Sequence, residues 1–298
     1  MEVSLIKKKH FIILGLIIAA VGVIAVFGYY QNRQNREQAL KQQAQNKKAE
    51  EITIRIIEGW SNKEIGAYLE KEGIVLAKNF TDSIRKFDSS EYKLLPTEAK
   101  GDLQGFLYPD TYRLFKSISD PKITKAEQAA ETVITKLLDT FFKRLPSDAE
   151  TKAQKQGLNL YEAITLASIV ENETGRNAVT AESKAKLDEE RKIVAGIFYN
   201  RLRARIALQS DATINYITGK NDPAPALEDL ETKSPYNTYK NRGLPPTPIG
   251  NPSLSSINAV LNPTNTDYFY FLHKQPSGEP VYSKTFEEHV KNKLKYLK

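Results

Sequence analysis

The stretch from Asn159 to Gly175, NLYEAITLASIVENETG, constrains the fold more than any other part of the chain. Asn159 and Glu162 have the spacing of a capping box and Gly175 supplies a left-handed stop, so the sequence predicts a helix between them. Ile164, Ala167, Ser168 and Glu171 recur at steps of three and four. That period puts Glu171 on the core-facing stripe and turns Glu173 elsewhere. A carboxyl held among apolar side chains resists ionisation, so it carries a proton near neutral pH. Glu171 is therefore the candidate general acid. The competing reading is a helix-end glutamate that reaches solvent or pairs with Arg176.

A chain of 298 residues with 40% hydrophobic content can bury one or two cores. It has no cysteine, which removes disulfides, thiolate catalysis and thiolate metal sites. The three histidines, His10, His273 and His289, lack metal-ligand spacing, so neither a metal nor another cofactor is expected. The net charge of +7 is spread along the chain without a nucleic-acid-binding signature. An anionic surface, such as lipid headgroups or cell-wall polymer, suits that charge better than nucleic acid.

Phe11 to Tyr30 carries no charge, and about 20 such residues in a helix match the hydrocarbon thickness of a bilayer. A transmembrane helix is expected at 11–30 after a short tail at 1–10. The alternative, a cleaved signal peptide, normally has a shorter apolar region of about 7 to 15 residues. Lys7, Lys8 and Lys9 before the span are balanced by Arg33, Arg36 and Lys41 after it, so charge counting leaves the orientation open. Residues 31–51 are too polar to bury a core and read as a spacer, helical if it continues the anchor.

Residues 52–57, ITIRII, read as a strand, and NKEIGAYLEKEGI after them as an amphipathic helix with Ile65 and Leu69 inward. A further short helix is expected over 79–87. GFLYPDTY at 105–112 is an aromatic, turn-rich run suited either to the core or to stacking on sugar faces. Residues 126–145 predict a packing helix through Ala130, Val133, Leu137, Leu138 and Phe141. Residues 180–190 read as a charged surface stretch with Glu189 and Glu190 in solvent, and 192–203 as a second long helix. Gln209, Ser210, Asp211 and Thr213 are expected on a loop, where Asp211 serves either as a second carboxylate or as an Asx turn or cap. Residues 234–253, SPYNTYKNRGLPPTPIGNPS, supply amides, flat aromatic faces and rigid prolines. Strands over 267–272 and 281–284 and a final helix containing His289 complete the pattern, which is α+β.

LASIVENETG, IVAGIFYNRL, LQSDAT, SPYNTY and GLPPTPIGNPS, in this order and with the earlier GFLYPDTY and a late YFYFL, closely resemble the MltG (YceG-like) endolytic murein transglycosylases. The resemblance covers nearly everything after residue 50. It implies a small LysM-like module at 52–97 and a catalytic domain at 98–298. LysM modules elsewhere bind N-acetylglucosamine glycans, and a structural adaptor is the competing role here. Two positions depart from the family pattern: Gln104 stands where the family usually has Glu, and Ala212 replaces the Pro of SDPT.

The implied reaction is cleavage of the N-acetylmuramic acid–N-acetylglucosamine bond inside peptidoglycan strands without water. Glu171 would first protonate the leaving oxygen and then take the proton from the muramic sugar's own primary hydroxyl as a 1,6-anhydro ring closes. Gln209, Ser210, Asp211 and Thr213 are read as substrate-binding from their expected loop, and Tyr236, Asn237 and Tyr239 are assigned to the glycan cleft by the resemblance. The resemblance also implies an inner-membrane protein with its N-terminus inside and the catalytic part on the outer face. Peptidoglycan strands and the membrane are the expected partners, with cell-wall synthases or division proteins as further ones. A hydrolytic muramidase, with Asp211 or Glu173 as second carboxylate, and a non-catalytic wall-binding scaffold are the rival readings.

Overall fold

The computed structural model describes residues 28–43, 50–122, 124–174, 180–220, 222 and 224–297. The expected tail at 1–10 and residues 11–27 of the expected span lie outside them. Among the described residues no helix is long and apolar enough to cross a membrane. Residues 28–43, the last three of the expected span and the first part of the spacer at 31–51, form helix α1 and are exposed throughout; residues 44–49 of the spacer lie outside the described residues.

Two compact units are present: residues 1–52 with Arg113–Ser117, and residues Thr53–Tyr112 with Ile118–Lys298. In the first, Lys116 donates its amide to the carbonyl of Glu50 and pairs its ammonium with the Glu50 carboxylate at 2.7 Å. The larger unit carries the chemistry described below.

In chain order the elements are β1 (Glu51–Arg55), α2 (Asn62–Lys71), α3 (Ala77–Lys86), β2 (Thr111–Phe115), α4 (Ala126–Arg144), α5 (Ala149–Lys155), α6 (Leu160–Glu173), α7 (Ala181–Arg203), α8 (Asp211–Thr218), α9 (Leu227–Leu230), α10 (Leu254–Leu261), β3 (Tyr270–His273), β4 (Pro280–Ser283) and α11 (Phe286–Tyr296). The fold is mixed α+β and rich in helix, with its strands in two-stranded pairs, β1 with β2 and β3 with β4. β3 and β4 are antiparallel, with Tyr270 opposite Ser283 and His273 opposite Pro280.

Helix α2 starts at a capping box in which Ser61 and Glu64 satisfy each other's amides. Its Ile65 and Leu69 are fully buried, as their spacing predicts. Phe106, Leu107, Tyr108 and Tyr112 are buried, and Tyr112 donates its hydroxyl to the carbonyl of Tyr108 at 2.6 Å, so this aromatic run is core. The backbone there turns at Gly105, whose φ of +91° and whose Cβ position, 2.6 Å from Pro248, admit only glycine. Asn251 locks the same turn by accepting from the amides of Gly105 and Leu107, both at 2.9 Å.

Three sequence expectations change. Residues 181–190 are not a separate surface stretch but the first turns of α7, because a charged, exposed helix face does not interrupt a helix. Glu190 is not solvated; its carboxylate meets His273 Nε2 at 2.8 Å. Asp211 and Thr213 are not on a loop but in the first turn of α8, where a carboxylate favours the helix N-terminus.

Candidate active site at the end of helix α6

Helix α6 begins as its sequence predicts: Asn159 Oδ1 accepts from the Glu162 amide and Glu162 returns the bond to the Asn159 amide, each at 2.8 Å. Leu160 through Glu171 is buried on nearly every side, so α6 is a central helix rather than an amphipathic one. Glu162 in its first turn and Asn172 and Glu173 in its last come near solvent.

Glu171 is fully buried, on the core side that its spacing predicts, but its carboxylate is met by an ion pair and hydrogen-bond donors rather than by apolar side chains alone. One carboxylate oxygen pairs with Arg191 of α7 at 2.8 Å. The other accepts from the Ser253 amide at 2.9 Å, the Ser253 hydroxyl at 2.5 Å and the Ser256 hydroxyl at 2.8 Å. Ser253 is the N-cap of α10, so the carboxylate sits over the positive end of that helix. Arg176, the partner considered from sequence, lies outside the described residues; Arg191 fills that role. With one ion pair and three further donors, the group is enclosed by protein.

Glu173 is half-buried. Its Oε1 accepts from the Ser210 hydroxyl and, at 3.3 Å, from the Ala212 amide in the first turn of α8. Burial holds its carboxyl above the usual range; the Asp211 charge adds to this, while the bonds from Ser210 and Ala212 and the nearby His273 act against it. Asp211 Oδ1 accepts from the Tyr239 hydroxyl at 2.5 Å. Burial raises the Asp211 carboxyl and, together with Asp211 itself, raises the Tyr239 phenol.

The segments 209–213 and 236–239 are stitched together through Thr238, which the sequence did not single out. Its carbonyl accepts from the Gln209 amide and its hydroxyl from the Ser210 amide, both at 3.0 Å, and its hydroxyl meets that of Thr213 at 2.9 Å. Thr213 is fully buried and Gln209 is exposed with a positive φ of 49°. Asn237 is also fully buried: its amide nitrogen donates to the carbonyls of Leu230 and Thr232, and its oxygen accepts from the Tyr239 amide. Its side chain shapes the loop. Tyr236 meets Thr247 at 2.8 Å and packs on Tyr216. Of the seven binding residues predicted, Ser210 bonds Glu173, Asp211 and Tyr239 bond each other, and Thr213 and Asn237 bond within the two segments.

Two basic groups from distant segments complete the surroundings. Arg201 is buried, donates to the carbonyls of Phe269 at 2.6 Å and Leu208 at 2.7 Å, and lies over the Tyr270 ring. His273 is held up from its ordinary value chiefly by its bond to Glu190. Neither was legible as a site residue, since each is brought in by β3 or α7. Of the two departures, Gln104 is buried and accepts from the Asn62 amide at 2.8 Å, serving the start of α2. Ala212 presents to Glu173 an N–H that proline lacks. A half-buried carboxyl with a raised pKa, beside hydroxyl and carboxyl groups, can deliver a proton to a leaving oxygen and then recover one.

The YceG-like family model matches residues 25–295. The chain is 35% identical over 243 residues to an endolytic murein transglycosylase of Bacillus subtilis, covering 80% of this chain and 59% of the relative. It is 32% identical over 204 residues to one of Streptococcus pneumoniae, covering 67% of this chain and 33% of the relative. The chain thus matches less than two thirds of the length of either. A solved YceG-like protein of Listeria monocytogenes superposes with a TM-score of 0.66 at 30% identity, over 80% of this chain and 75% of that one.

Proposed function

Because the chain belongs to the YceG-like family, we propose that it is an endolytic murein transglycosylase whose proton-transferring group is Glu173. The relatives' activity supports the reaction class. The observation that carries the choice of residue is the contrast within α6: Glu171 is sealed by Arg191, Ser253 and Ser256, whereas Glu173 stands half-buried beside Ser210, Asp211 and Tyr239 with its carboxyl raised. A general acid must reach substrate and favour its protonated form; the partial exposure of Glu173 and the upward direction of its pKa support that role.

In this reading protonated Glu173 delivers its proton to the oxygen between N-acetylmuramic acid and N-acetylglucosamine. The carboxylate left behind takes the proton from the muramic sugar's primary hydroxyl as that oxygen closes the anhydro ring. Ser210 and the Ala212 amide steady the carboxylate form through Oε1. Asp211 and Tyr239, bonded to each other, are the proposed contacts for sugar hydroxyls. A hydrolytic muramidase is the second reading, favoured by the Asp211 carboxyl near Glu173, which would activate water.

The remaining elements are proposals of the same kind. The uncharged run 11–30 supports a single membrane anchor with its N-terminus inside and the catalytic part on the outer face. The strand and helices of 52–97 support a LysM-like module that engages glycan. Peptidoglycan strands are the substrate, and cell-wall synthases or division proteins are the candidate protein partners.

Digestion of purified glycan strands, with the new ends read by mass spectrometry, tests the reaction. Anhydro-muramic ends from wild-type protein and their loss in Glu173→Gln are expected. Reducing ends in place of anhydro ends would identify the hydrolase, and full activity in Glu173→Gln would remove Glu173 from its role. For the anchor, the full chain should stay with membranes in high salt; release by salt alone would exclude it.

A further inference from the structure

Arg191 reaches α6 from α7 and grips it at two points on either side of Glu173. Its Nη2 pairs with Glu171 at 2.8 Å, and its Nε donates to the Thr174 hydroxyl oxygen at 3.3 Å. Thr174 is the C-cap of α6, and both its amide and its hydroxyl donate to the carbonyl of Val170, at 3.1 and 2.9 Å. The last carbonyls of a helix lack intrahelical partners, so a final turn keeps its geometry only when something outside the helix holds it. Here Thr174 meets the Val170 carbonyl, and Arg191, whose side chain is only 7% exposed, ties Thr174 and Glu171 to α7. The other side of the Glu171 carboxylate is fixed by Ser253 and Ser256 at the start of α10. Three helices thus meet at the residue two places before Glu173. The neighbouring residue on α7, Glu190, holds His273, whose charge acts on Glu173.

We propose that Arg191 is a positioning residue: by clamping Glu171 and Thr174 it fixes the last turn of α6, so that Glu173, between them, keeps its carboxyl against Ser210 and Ala212. This rests on the reading of Glu173 as the proton-transferring group. A buried ion pair kept for stability alone can be replaced by apolar side chains of similar size at little cost, because both charges leave together. A positioning pair cannot be replaced in this way without loss of catalysis, since displacement of a reacting group by about 1 Å costs roughly 10²-fold in rate.

The test uses the full chain and purified glycan strands, with kcat, KM, the rate–pH profile and the melting temperature measured for each variant. The double variant Glu171→Leu/Arg191→Met should stay folded with KM within about twofold of wild type, while kcat falls by about 10²-fold. The basic limb of its rate–pH profile should move to lower pH as Glu173 gains solvent, an effect that a purely structural pair would not produce. A folded double variant with wild-type kcat and pH limb overturns the proposal. Should that variant not fold, Thr174→Val removes the second arm without touching a buried charge; a kcat about tenfold lower supports the clamp and an unchanged kcat rejects it. Glu173→Gln is run beside them. If it is inactive while the clamp variants are fully active, only the clamp is lost; if it is active, the assignment of Glu173 fails and the clamp fails with it.

Discussion

Glu171 and Glu173 lie two residues apart on one helix, yet the first is enclosed by Arg191, Ser253 and Ser256 while the second meets Ser210 and Ala212 at the helix end. The helix turns about 200° between them, which is enough to send one carboxyl into the α6–α7–α10 junction and the other toward α8.

Substitution should separate the two roles. Glu173→Gln is expected to lose about 10² to 10⁴ in rate with no fall in melting temperature. Glu171→Gln takes from the buried Arg191 its 2.8 Å counter-charge and leaves only Asp188 at 3.9 Å, and breaking such a buried pair typically costs about 3 to 5 kcal/mol. At roughly 2 to 4 °C per kcal/mol its melting temperature should drop by on the order of 10 °C. Calorimetry of both variants beside anhydro-product formation decides the matter: a normal melt with no activity for Glu171→Gln would reverse the assignment.

Glu173 should also leave a mark on stability against pH. Its folded pKa is raised above the ordinary 4.5, so between those two values the folded protein binds more protons than the unfolded chain. Stability from this group therefore falls as pH rises through that window. Glu173→Gln should accordingly melt as high as wild type or higher at neutral pH, and the difference should close below pH 4.5. A Glu173→Gln protein less stable at pH 7 than at pH 4 relative to wild type would contradict it.

Ala212→Pro tests the amide that meets Glu173 Oε1. Proline is tolerated in a first helical turn, so the fold should persist. Loss of the N–H donor removes one influence that lowers the Glu173 pKa, and the basic limb of activity should move to higher pH. An unmoved limb would mean that the 3.3 Å contact does not act on the carboxyl.

His273 is raised from 6.5 chiefly by its bond to Glu190, so that pair contributes stability which is full below pH 6.5 and is lost as pH rises through the folded value. In Glu190→Gln this decline should flatten. Melting temperatures from pH 5 to 8.5 for wild type and variant give the comparison, and parallel curves would rule the pair out as the source.

Asn251 is fully buried and bonds the amides of Gly105 and Leu107 with one end, and the Trp60 carbonyl and Asn62 side chain with the other. Asn251→Ala strands several of these groups, each costing about 1 to 3 kcal/mol, so a loss of about 3 kcal/mol is expected by denaturant titration. A change under about 1 kcal/mol would show that solvent or local rearrangement satisfies them.

The sequence by itself determined the family through its ordered motifs, the α+β class, and the start of α6, because a capping box is a contact between residues three apart. It also determined the core faces of α2 and α4, whose opposite faces are wet, so that apolar spacing reports direction. Tertiary structure decided which glutamate of α6 is enclosed and which stays partly exposed. That helix is buried on nearly every side, so the spacing that favoured Glu171 reported burial and said nothing of which carboxyl stays near solvent. What tells them apart are partners about 20 and 80 residues away for Glu171, Arg191 and Ser253, and about 40 away for Glu173, Ser210. Side chains from such separations meet only when α7, α8 and α10 pack around α6, and packing, not local spacing, sets the partners and exposure of each group.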